Sequence, residues 1–112
     1  MEIWVEFDSS IRKFRVSPNP AIVKRGTSIT WRFRADNFSG PGILWTVYFD
    51  QGTPFAQSMF TTGSAISNGQ HTGATTAKSA DKPGDYKYGV RAQDSSTKNK
   101  LGDEDPILRV QE

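Results

Sequence analysis

Alternation with a period of two residues dominates this chain, and no stretch carries the three-to-four-residue spacing of an amphipathic helix. The clearest run is Gly84 to Ala92. Tyr86, Tyr88, Val90 and Ala92 fall on one face, and Lys87, Gly89 and Arg91 on the other. Ser28 to Asp36 repeats the pattern, with Ile29, Trp31, Phe33 and Ala35 set against Thr30, Arg32, Arg34 and Asp36. Such segments bury one side of a sheet and wet the other. An all-β fold follows.

Further strands are expected around Ile3 to Phe7, Arg12 to Val16, Ala21 to Val23, Ile43 to Asp50 and Asp105 to Gln111. Turn chemistry separates them. Pro18 and Pro20 cannot donate to a ladder. Gly26, Gly40-Pro41-Gly42 and Pro83-Gly84 mark tight connections. Phe55 to Phe60 reads equally as a short strand or a helical turn. Thr61 to Ala80 is rich in Gly, Ser, Thr and Ala, with Ile66 its one large aliphatic side chain. It reads as a long excursion with at most a weak strand near Gly73 to Lys78, and Asp94 to Gly102 as a polar loop. Seven or eight short strands spaced this way predict a single Greek-key β-sandwich domain spanning residues 1–112.

The chain has 112 residues, no cysteine and a formal net charge of +2. That length buries a core without disulfides. Thiolate metal sites and cysteine nucleophiles are excluded. The small charge excess suits a solvated surface better than a phosphate-binding one, and no apolar run is long enough to span a membrane as a helix. The alternating start at Ile3-Trp4-Val5-Glu6 is unlike a secretion signal. A cytoplasmic location is expected, unless an exported precursor has been trimmed.

From Phe14 onward the chain resembles the cupredoxins, the plastocyanin-like Greek-key sandwiches. The matching pieces are Pro20-Ala21-Ile22-Val23 leading into Lys24-Arg25-Gly26-Thr27 and a strand with Trp31; the strand opening at Trp45; the turn and strand Gly84 to Val90; and the closing strand Asp105 to Val110. The resemblance implies the fold and argues against the family's electron transfer. Trp45 stands where the first copper histidine is expected, Val90 where the cysteine is, and Gln93 where the second histidine is. Met59 lies far from the final loop. Blue copper needs a thiolate and two imidazoles, so no metal and no cofactor are expected. In that frame Trp45 fills the space of the missing metal site, facing Val90.

The remaining motifs read as structure. His71 is the only histidine; alone in a polar loop it is expected to be solvated. No Gly-x-Ser-x-Gly elbow supports a serine nucleophile. Asp103-Glu104-Asp105 matches no calcium-loop spacing and reads as a charged turn that guards the last strand. Trp31-Arg32-Phe33-Arg34 looks like a stacking-plus-phosphate pattern, but alternation sends the rings inward and the arginines outward, so nucleic-acid binding is not expected.

Two functional readings result. The first is a non-catalytic, copper-free cupredoxin-like module. It would bind another protein through its loop end (Asn37 to Gly42, Gly69 to Ala74, Asp94 to Asp103) or through an edge strand. His71, Arg91, Gln93 and Asp94 are its candidate contact residues. The second is an immunoglobulin-like carbohydrate-binding module with an exposed aromatic pair, Trp4 with Tyr48 or Trp45. The sequence leaves oligomeric state open.

Overall fold

The structure, a computed structural model, describes residues 1–67 and 69–112. These form twelve strands and no helix. A five-stranded sheet runs in the order β2 (Lys13–Ser17), β1 (Glu2–Asp8), β4 (Ile29–Asp36), β8 (Gln70–Ala77) and β7 (Ala65–Ser67). A four-stranded sheet runs β11 (Lys100–Glu104), β10 (Gly89–Asp94), β5 (Ile43–Tyr48) and β6 (Met59–Gly63). A three-stranded sheet joins β3 (Ala21–Lys24), β12 (Ile107–Gln111) and β9 (Gly84–Lys87). Only β1–β4 and β3–β12 pair in parallel. The fold is an all-β sandwich.

The two larger sheets meet through aromatic rings. Phe33 of β4 stacks on Trp45 of β5 with centroids 5.0 Å apart. Trp31 is enclosed by Phe49, Phe55, Phe60 and Tyr88, at centroid distances of 6.2, 6.1, 5.9 and 5.8 Å. Its indole N–H donates to the Tyr88 hydroxyl at 3.2 Å, which gives two buried polar groups one shared partner. Val90 and Trp45 are both fully buried. The register sets Trp45 beside Ala92, and Val90 beside Val47, so the indole lies diagonal to Val90 and rests on Phe33.

Four expectations are corrected. The strand count is twelve because three stretches divide differently from the alternation. Thr61 to Ala80, read as an excursion, contains β6 (from Met59), β7 and β8; Asn68 within it lies outside the described residues. Seven of the eight residues of β8, His71–Ala77, pair with Ile29–Ala35 of β4. Its inward positions, His71, Gly73, Thr75 and Ala77, are small or polar because Phe33 beside Gly73 and Trp45 across the core already fill the space. A Cβ on Gly73 would stand 3.2 Å from the Trp45 ring and 3.1 Å from the Gly63 carbonyl. Gly84 to Ala92, read as one strand, changes sheet at Tyr88, whose N–H donates to the Pro106 carbonyl at 3.0 Å. Within the polar loop after Asp94, Lys100–Glu104 forms the edge strand β11. Phe55 is a buried side chain in the largely exposed β5–β6 connection, while Phe60 belongs to β6.

Candidate interaction surface

Strand register gathers four connections at one end of the sandwich. Asp8 stands beside Asp36, Ala35 beside His71, and Asp94 beside Ile43. Hydrogen bonds tie the connections together. Ser9 N–H donates to the Asp36 carbonyl at 3.1 Å, and the Asn37 side-chain amide donates to Asp8 Oδ1 at 3.1 Å. Gln70 Nε2 donates to Asp36 Oδ1 at 2.9 Å. Ser95 N–H donates to the Gly42 carbonyl at 3.0 Å. Loops from both large sheets are thus held as one surface.

His71 lies beneath that surface. It is 3% exposed, not solvated as expected, because it occupies an inward position of β8. Phe38 packs edge-on against its ring at 5.1 Å. Ser64 Oγ accepts the Ile43 N–H at 2.8 Å and is hydrogen-bonded to His71 Nδ1 at 3.2 Å. His71 is therefore a strut between the β4–β5 loop and the β6–β7 corner.

Asp94 and Gln93 stand at the loop end. Asp94 Oδ1 accepts from Ser96 Oγ at 2.7 Å, Ser96 N–H at 2.9 Å and Thr97 N–H at 3.2 Å. The Ser96 side chain first, then these amides, hold its carboxyl below the usual range. Gln93 Nε2 donates to the Lys98 carbonyl at 3.3 Å. Both residues build the β10–β11 hairpin. Asp8 does the same for the β1–β2 turn: Ser10 Oγ, Asn37 and the Ser10 amide lower its pKa, in that order.

Arg91 lies apart, on the outer face of the four-stranded sheet. Its guanidinium sits 5.3 Å from the Tyr48 ring centroid, a cation–π distance. That ring covers Gly89, where any Cβ would collide with it. Partial burial, then the charge of Asp103, raises the Tyr48 pKa.

The aromatic pair proposed for sugar binding is divided. Trp45 is in the core, Tyr48 faces outward from the four-stranded sheet, and Trp4 is 50% exposed on the outer face of the five-stranded one. Around Trp4 the charges balance. Arg32 pairs with Glu2, and Arg34 with Glu6 at 2.6 Å. Lys13 and Arg15 stand opposite Asp8 and Glu6.

Sequence reasoning missed Ile11 and Ile66, each 61% exposed on the β1–β2 turn and on β7 at the tied end. It also missed Ser64 and Phe38, which position His71. The one available signal was Ile66, the lone aliphatic side chain of a polar stretch. Among the described residues no three His, Cys, Asp or Glu side chains come together as a metal-holding group.

No protein-family model matches the chain, and no curated protein matches it. Among solved structures it is similar to the N-terminal domain of phage TP901-1 ORF48, with a TM-score of 0.44 and 11% identity over 99% of this chain and 98% of that one.

Proposed function

We propose that this chain is a non-catalytic, copper-free cupredoxin-like Greek-key module that binds another protein through its tied loop end. One observation carries the reading: loops from both large sheets are hydrogen-bonded to one another there, and that end leaves Ile11 and Ile66 in water. A rigid polar frame with an exposed aliphatic side chain at each margin, Ile11 in the β1–β2 turn and Ile66 on β7, offers apolar area that a partner can bury. Burial of Trp45 and Val90, the residues standing at the copper-ligand positions of the resemblance, agrees with a packing role for both.

The test compares the wild-type chain with an Ile11→Ser, Ile66→Ser double variant as immobilised baits. Saturable recovery of one partner by the wild type, lost in the double variant at unchanged melting temperature, is the expected result. Equal recovery by both, or no saturable partner, defeats the proposal. The carbohydrate reading now rests on Trp4 alone. Because Trp31 and Trp45 are buried, any glycan response of the tryptophan emission would report Trp4, and a red-edge emission indifferent to glycans counts against that reading.

A further inference from the structure

The flank of the sandwich between β6 and β8 carries a second surface, independent of the loop end. Strand β7 covers only Gln70 to Thr72 of β8. Beyond it, Gly73–Ala77 has β4 on one side and, among the described residues, no hydrogen-bonded strand on the other. Thr30 N–H points to the β1 side, where it donates to the Met1 carbonyl at 2.9 Å. By alternation, β4 then bonds to Gly73, Thr75 and Ala77 of β8, and the backbone groups of Ala74 and Thr76 point to the open edge. Strand β6 is likewise bare on the side away from β5.

The two bare edges converge at one end, where the Gly63 carbonyl approaches Gly73. At the other end they part around a depression of about 270 Å³. Phe55 and Phe60 line it together with Ala56, Gln57, Thr76 and Lys78. Lys78 is the one charged residue in that lining, and no salt bridge engages it among the described residues.

We propose that this slot accepts an extended segment of a partner protein as an added strand on β8. The added strand would continue the line of β7, bonding through its backbone to Ala74 and Thr76. One apolar side chain would enter the depression over Phe55 and Phe60, and a carboxylate would meet Lys78. Main-chain bonding supplies affinity in such strand addition, and the pocket with its cation supplies selectivity. A polar edge of Thr and Ala with no inward-pointing charge lacks the usual guards against pairing.

The probe is a capped seven-residue peptide alternating threonine and valine, with aspartate at the first or the last position to cover antiparallel and parallel pairing. Titration followed by amide NMR is expected to shift Ala74 to Lys78 and Phe55 to Phe60, and to slow exchange of the Ala74 and Thr76 amides. Replacing the aspartate by lysine weakens binding about two- to fivefold, the scale of an exposed ion pair. Ala74→Pro, which removes an outward amide at an edge position where proline is tolerated, abolishes it. Lys78→Glu, a surface change that leaves the fold intact, reverses the preference between the aspartate and lysine peptides. No shifts at millimolar peptide, shifts elsewhere, or binding indifferent to both variants overturns the proposal. So does a sedimentation result in which the peptide-free chain dimerises with Ala74 and Thr76 already protected, because the occupant is then a second copy.

Discussion

Tyr88 shows how one hydroxyl sets a pH limit. It is held in the aromatic cluster, its pKa is pushed up to about 12 by burial, and its oxygen accepts the Trp31 indole proton. A raised tyrosine pKa stabilises the fold fully below the unfolded value of 10.0, and the contribution is lost as pH rises toward 12. Urea unfolding at pH 8 and at pH 11 should therefore show an alkaline loss that Tyr88→Phe reduces. At pH 8 the same variant should cost about 1–3 kcal/mol, because the indole donor is left buried without a partner. Trp45 sets the packing limit. Trp45→Ala should cost about 3–5 kcal/mol in the same assay, and an unchanged melting curve would sink its core role. Both residues were legible in the sequence as inward members of alternating strands. His71 was not, because a lone histidine in a polar run gives no periodic signal, and its burial depends on Phe38 and Ser64 arriving from other segments.

Elements were legible where large apolar residues alternate, as in β1, β4, β5 and β12. Strand β8 was illegible for a physical reason. Phe33 beside it and Trp45 across the core take up the space, so its inward positions, His71, Gly73, Thr75 and Ala77, are small or polar, and such residues carry no hydrophobic period. Gly73 tests this. Gly73→Ala places a methyl between the Gly63 carbonyl and the Trp45 ring, neither free to swing away, and should destabilise by roughly 1–3 kcal/mol. A neutral result in denaturant melts would mean that β8 has room to spare. The β9–β10 break escaped notice for the opposite reason: its alternation continues unbroken through Tyr88, and a change of sheet leaves no mark on a period of two. Strand β11 was hidden by its charges, Asp103 and Glu104, which suit an edge as well as a loop.

For the whole molecule, two carboxylates link stability to pH in acid. Asp8 and Asp94 each have a folded pKa below the unfolded 3.8, so each stabilises above that value and loses its contribution as pH falls through the folded one. Both brace turns at the tied end. Melting temperature measured from pH 6 to pH 2 should fall more steeply for the wild type than for an Asp8→Asn, Asp94→Asn double variant, and parallel curves would show that other groups control acid unfolding. The crossing at Tyr88 acts on cooperativity. One covalent run supplies β9 to the small sheet and β10 to the four-stranded one, and its hinge residue is bonded to Pro106 and set in the shared aromatic core. The small sheet cannot peel away as an independent unit without drawing that ring out of the core. Tryptophan fluorescence, to which the buried Trp31 and Trp45 contribute, and circular dichroism from the strands should then trace a single superimposable transition, the signature of three sheets acting as one mechanical and thermodynamic body.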